Sequence, residues 1–128
     1  MKAILTENAP KPAGHYSQAL VHHNIVYVSG QLPIDPKTGE KRTGSIEEQT
    51  EQVLSNLSEI LKAAGSNLSQ VIKTTVYLSD IELWSRVNAV YARFFGEHRP
   101  ARTVVPTSNL HHGLQVEIEA MATLEKSS

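Results

Sequence analysis

The stretch from Leu114 to Leu124 constrains this chain more than any other. Leu114, Val116, Ile118, Ala120 and Ala122 alternate there with Gln115, Glu117, Glu119, Met121 and Thr123. Successive strand side chains point to opposite faces, so this strand is apolar on one side and polar and acidic on the other. The apolar side needs a covering layer, and the sequence supplies two helices for it. Ser45 and Glu48 have the spacing of a capping box, in which each satisfies an amide donor at a helix start. Val53, Leu54, Leu57, Ile60, Leu61 and Ala64 then recur at helical spacing, and Gly65 is the expected left-handed stop. Asp80 is expected to cap a second helix carrying Leu83, Trp84, Val87, Val90, Tyr91 and Phe94 or Phe95, ending near Gly96.

The remaining segments read as strands and turns. Lys2–Leu5, His15–Leu20 and Ile25–Ser29 come first, the last rich in strand-favouring residues. Asp35-Pro36-Lys37-Thr38-Gly39 is a turn, with Pro presetting φ and Gly supplying a positive one. Val71–Ser79 is a strand expected to present Ile72, Thr74, Val76 and Leu78 on one face. Arg102–Ser108 contains Pro106, which limits ladder bonding and places that strand at an edge or a bulge. The order β-β-β-α-β-α-β-β is α+β, a mixed sheet with two helices packed on one face. No repeat or long linker divides the chain, so residues 1–128 are expected to form one domain.

Composition then removes whole classes of chemistry. The chain has no cysteine, which excludes disulfides, thiolate nucleophiles and cysteine-containing zinc sites. Twelve Lys+Arg against thirteen Asp+Glu leave a formal charge of −1, which argues against a nucleic-acid binder relying on a basic surface. No apolar run approaches the roughly 18 residues of a membrane span. The opening MKAILTENAP has neither the apolar run nor the cleavage site of a secretory signal, so a cytoplasmic location is expected. There is no GxSxG elbow, no Walker loop and no GxGxxG.

What remains is a small set of polar residues. Glu117 and Glu119 share one strand face, about 6.6–6.8 Å apart along the chain. That face is either simply solvated or covered by another subunit. Arg102 has a planar fork suited to a carboxylate, either a glutamate of this chain in a structural ion pair or an acidic ligand. His22-His23 and His111-His112 are adjacent pairs that would point to opposite faces of a strand. They lack HExxH spacing and an acidic ligand set, so no metal site is expected. His15 differs in lying beside Tyr16 and Ser17 at the start of a strand.

Five separated motifs go further. Tyr16-Ser17-Gln18-Ala19, Ser29-Gly30-Gln31-Leu32-Pro33, Val87-Asn88, Pro100-Ala101-Arg102-Thr103 and Val116-Glu117-Ile118-Glu119-Ala120 occur in order from about Thr6 to the end. Together they resemble the RidA (YjgF) family. The resemblance implies a chorismate-mutase-like fold assembled as a homotrimer, with ligand pockets in the clefts between subunits. It also implies an activity needing no cofactor. Reactive enamine and imine acids such as 2-aminoacrylate and 2-aminocrotonate would be hydrolysed to 2-keto acids and ammonia, as by a 2-iminobutanoate/2-iminopropanoate deaminase.

By the same resemblance, Arg102 would clamp the substrate carboxylate and Glu117 would position the attacking water. Tyr16 would cap the pocket, Ser29 and Gly30 would line it, and Asn88 would reach it from the second helix. Val104 stands where many members carry a cysteine and would keep the backbone contact. His15 replaces a proline, and the stretch Pro106–Gly113 departs from the usual rim, which bears on substrate preference more than on reaction class. Two rival readings use the same features: a regulator binding a 2-keto acid or amino acid through Arg102, and a ribonuclease or translation inhibitor. The second lacks a basic stripe and suitably paired histidines.

Overall fold

In a computed structural model, which describes residues 1–126, the segment Val116–Thr123 (β6) lies inside a six-stranded sheet rather than at its edge. The other strands are β1 (Lys2–Ile4), β2 (Ala19–His22), β3 (Ile25–Gln31), β4 (Val71–Leu78) and β5 (Ala101–Pro106). Their spatial order is β1-β2-β3-β6-β4-β5, antiparallel throughout except for the parallel pair β4–β5. A parallel pair requires a crossover, and helix α2 (Trp84–Phe95) supplies it. Helix α1 (Ile46–Ala64) completes the covering layer. The α+β order expected from the sequence is the order observed.

The core forms where the two periodicities meet. Val53, Leu54, Leu57, Ile60 and Leu61 of α1 are fully buried against Val116, Ile118 and Ala122 of β6. Val87, Val90, Tyr91 and Phe95 of α2 close the same layer. Each such aliphatic side chain contributes roughly 1.5–3 kcal/mol by leaving water, and truncating one to alanine costs about 2–5 kcal/mol. Ser45 Oγ accepts from Glu48 N at 3.1 Å, which makes one half of the expected capping box. Gly65, at φ 90°, ends α1 with its N–H bonded back into the last turn.

Local competition shifts several boundaries. Ile72 is 43% exposed, not part of the apolar face. Val71 pairs with Ala122 and Lys73 with Met121, so Ile72 is the extra residue of a bulge, and Val71 enters the core instead. Asp80 caps not α2 but a short 3₁₀ turn, Ile81–Leu83, which delivers the chain to Trp84. Residues 15–18 stay outside β2 because their polar groups are engaged elsewhere. The Gln18 side chain accepts from Thr6 N and donates to Thr6, Ala9 and Pro10 carbonyls, tying down the N-terminal arm. Pro106 sits at the end of β5, an edge strand, as its missing N–H requires. His23 and Asn24 form the tight β2–β3 turn with φ 50° and 63°, so this histidine pair serves a hairpin.

Candidate functional site

The sheet places the two principal candidates on opposite faces. Arg102 is the register partner of Thr74 across the parallel β4–β5 pair. The Thr74 hydroxyl meets the Tyr91 hydroxyl of α2 at 2.7 Å, so both residues lie on the helix-covered face. There the Arg102 guanidinium rests over two rings of α2, 4.4 Å from the centroid of Trp84 and 4.7 Å from that of Tyr91. Its Nη1 donates to Asn88 Oδ1 at 2.9 Å. Val104, two residues along β5, shares this face and packs on the core.

Arg102 has no carboxylate partner among the described residues, whereas Arg42, Arg86 and Arg93 are each paired with one. The structural ion pair weighed from the sequence is therefore not formed. The guanidinium is half-buried, held by a neutral amide and two π faces, and its charge is left uncompensated. Nearby positive charge also moderates Tyr91: burial pushes its hydroxyl up, while the Thr74 bond and Arg102 pull it down.

Glu117 belongs to the other side of β6. Val116 and Ile118 point into the core, so Glu117 points away from it, opposite Tyr77 of β4. Between Val28 and Gln31, β3 spends two residues, Ser29 and Gly30, against the single Glu119 of β6. This bulge brings Gly30 under the Glu117 side chain, and a Cβ built on Gly30 would collide with Glu117 Oε2. The absence of a side chain at Gly30 is what lets the carboxylate lie there. Ser29 Oγ donates to Ser17 O at 2.7 Å, fixing the loop that carries Tyr16, a residue 53% exposed.

Burial pushes the Glu117 carboxyl above the ordinary glutamate range; the positive charge of His111 works against that and Glu119 adds to it. His111 belongs to the 3₁₀ turn His111–Gly113, where His112 and Gly113 both hold positive φ just before β6. Tyr77 Oη donates to Glu119 Oε1 at 2.6 Å, and this bond is the main reason the Tyr77 hydroxyl is pushed up. A hollow of about 200 Å³ on the same open face is lined by Lys73, Thr75, Glu119, Ala120 and Met121.

The expected site residues therefore fall into two groups. Ser29, Gly30 and Glu117 meet at the β3–β6 bulge, with Tyr16 on the loop that Ser29 ties down, and Asn88, Arg102 and Val104 gather where β5 meets α2. Within one chain the sheet separates them.

A protein-family model described as Endoribonuclease L-PSP matches residues 6–124. A RutC family protein of Pyrococcus horikoshii is 52% identical over 124 residues, 97% of this chain and 98% of that protein. This chain belongs to the RidA/YjgF/L-PSP family. Among other members, a rat protein named 2-iminobutanoate/2-iminopropanoate deaminase is 44% identical over 121 residues, 94% of this chain and 88% of that one. The crystal structure of a protein of Thermotoga maritima named a putative endoribonuclease superposes with a TM-score of 0.95 at 49% identity, and the match covers 98% of this chain and 99% of that chain. The structure of Escherichia coli TdcF with bound serine gives a TM-score of 0.92 at 36% identity, covering 96% of this chain and 98% of that one. The family's chorismate-mutase-like fold is thus the fold of this chain.

Reading the family's motifs finds Asn88 but leaves out the two rings that hold Arg102 beside it. Trp84, Asn88 and Tyr91 stand at i, i+4 and i+7, so they make one stripe along α2. That spacing was legible, but Trp84 and Tyr91 count as core residues until a guanidinium is found over their rings. The Tyr77–Glu119 pair is likewise absent from the motifs, because cross-strand register brings it together.

Proposed function

We propose that this chain is a 2-iminobutanoate/2-iminopropanoate deaminase whose reaction takes place in clefts between subunits of a homotrimer. The observation that carries the reading is Arg102: a half-buried guanidinium with an uncompensated charge, fixed by Asn88 and two rings. Such a fork receives a substrate carboxylate in two parallel hydrogen bonds, and neither neutral partner competes for its charge. The rat relative's name, 2-iminobutanoate/2-iminopropanoate deaminase, and the serine bound in the TdcF structure both concern small molecules carrying a carboxylate.

Glu117 supplies the second half of the chemistry. Raised by burial, its carboxyl is suited to take a proton from water and return it. Water oxygen bonds to the imine carbon, the C=N π pair moves to nitrogen, and the proton removed from water reaches that nitrogen through Glu117. The resulting carbinolamine passes its hydroxyl proton to the amino nitrogen through the same carboxyl, and the C–N bond breaks to release ammonia as the C=O bond forms, leaving a 2-keto acid. An enamine such as 2-aminoacrylate first takes a proton at its terminal carbon to enter the same path. The protonated imine is already electrophilic, so holding the carboxylate and presenting the water are the main tasks.

Because the sheet separates Arg102 from Glu117, one cleft needs two copies. The Arg102 group of one subunit meets the Glu117 group of the next, with Tyr16, Ser29 and Gly30 on the Glu117 side. A head-to-tail contact of this kind closes into a ring, which a trimer satisfies. No helix among the described residues is long and apolar enough to cross a membrane; the reading places the reaction in the cytoplasm.

The test is release of ammonia and pyruvate from 2-aminoacrylate generated in situ, measured over the spontaneous background. The intact protein accelerates it and Arg102→Ala does not. Background rates for the intact protein with both 2-aminoacrylate and 2-aminocrotonate would overturn the reading.

A further inference from the structure

Arg102 sits on an edge strand, where a long side chain has few neighbours to hold it. The structure nevertheless surrounds its guanidinium with three side chains of one α2 stripe: Trp84, Asn88 and Tyr91. These three do not contribute equally. Tyr91 is buried, its hydroxyl is bonded to Thr74 at 2.7 Å, and its ring packs on Phe95 at 4.5 Å, so its place is set by the core. Asn88 accepts one N–H of the five that an arginine offers. Trp84 is the chain's only tryptophan, is half-buried, and lies nearest the guanidinium carbon of the two rings. It is the first residue of α2, set in place by the Asp80-capped turn before it.

A ring face attracts a cation through its quadrupole without neutralising it. A carboxylate at the position of Trp84 would hold Arg102 equally well but cancel the charge a ligand must meet. A ring 4.4 Å from the guanidinium carbon is not the oxygen acceptor that a carboxylate would be, so the N–H groups not taken by Asn88 stay available to a ligand's oxygens.

We propose that Trp84 is a positioning residue: its ring orients the Arg102 guanidinium to receive the carboxylate of the substrate, and it acts through Arg102 rather than on the reacting atoms. This inference rests on the reading of Arg102 as the carboxylate clamp. It predicts that the effect of Trp84 appears in binding, only for ligands with a carboxylate, and is largely restored by another aromatic ring.

The experiment compares the intact protein with Trp84→Leu, Trp84→Phe and Arg102→Ala. Calorimetry measures the Kd of 2-oxobutanoate and of its neutral amide, 2-oxobutanamide, and kcat and KM are measured for the imine reaction. Thermal melts of each variant confirm folding. Trp84→Leu should raise the Kd of 2-oxobutanoate and the KM by about threefold to thirtyfold, the span of one cation–π contact, with kcat changed less than about twofold. Trp84→Phe should recover most of that loss, and amide binding should not respond to either change. An unchanged Kd and KM in folded Trp84→Leu overturns the proposal. So does an equal loss for the acid and the amide, or failure of Trp84→Phe to restore binding. If the intact protein binds 2-oxobutanoate through Arg102 and Trp84 but hydrolyses no imine, the positioning role stands and the deaminase reading falls. If the intact protein binds no 2-oxobutanoate, the proposal is overturned.

Discussion

Arg86 and Arg102 lie on two sides of the same helix and meet opposite electrostatic conditions. Arg86 faces α1, where its Nε and Nη2 donate to the two oxygens of Glu47 at 2.8 and 2.7 Å. Those bonds hold the Glu47 carboxyl down to about 2, and farther along the helix Arg93 donates one hydrogen bond to Glu51. Arg102, on β5, faces α2 from the other side and finds only an amide and two rings. On the α1 side charge is matched within the chain and the contact is structural. On the β5 side geometry is fixed while charge is left over. A cation that is held but not neutralised is the more informative sign of a ligand site.

The comparison is broken most severely by separating the two halves of the proposed cleft onto different chains. Arg102→Ala and Glu117→Gln should each leave hydrolysis near background, the second losing roughly 10²–10⁴-fold in kcat. Unfolding and refolding the two variants together in equal amounts should restore about a quarter of wild-type activity, since half the clefts draw an intact Arg102 and half of those an intact Glu117. No recovery on mixing, with trimers formed, would place both residues of a working cleft on one chain.

A smaller effect sharpens the contrast through stability. The folded state holds the Glu117 carboxyl above its unfolded value, so the folded protein binds the extra proton between the two values. Stability then falls as pH rises through that window, and at neutral pH the ionised Glu117 is a destabilising group. Glu117→Gln should therefore melt higher than wild type near pH 7, and the difference should vanish below the ordinary glutamate range. Equal melting temperatures at both pH values would refute the assignment of that burial.

The smallest effect is expected on the matched side. Arg86→Ala removes an exposed pair and should leave hydrolysis unchanged and the melting temperature within about 3 °C, because solvent screens such pairs. The Glu47 carboxyl, followed by NMR titration, should return from about 2 to the ordinary range.

Several features could be read directly from the residues. The alternation of Val116–Thr123 and the helical spacing from Val53 to Leu61 determined which faces are buried, because those patterns bury cleanly in only one way. Pro106 narrowed β5 to an edge or a bulge, of which the edge is observed, and the end of α1 followed from Gly65. Arg102 and Glu117 were legible as residues, through their chemistry and the RidA motifs around them. The bulge at Ile72 and the loop at residues 15–18 were not, because each depends on hydrogen bonds to distant parts of the chain; the turn between Asp80 and Trp84 was not, because an Asp cap reads the same before a 3₁₀ turn as before an α-helix.

The sequence alone thus determined the layers, the strand and helix order and the residue types at the site, since these follow from local periodicity and turn chemistry. Only the tertiary structure decided that Arg102 and Glu117 occupy opposite faces of the sheet, that Gly30 makes room for the carboxylate, and that the guanidinium rests on Trp84 and Tyr91 instead of a glutamate. Those facts depend on strand order and cross-strand register, which join residues far apart in the chain and leave no trace in the spacing of neighbours.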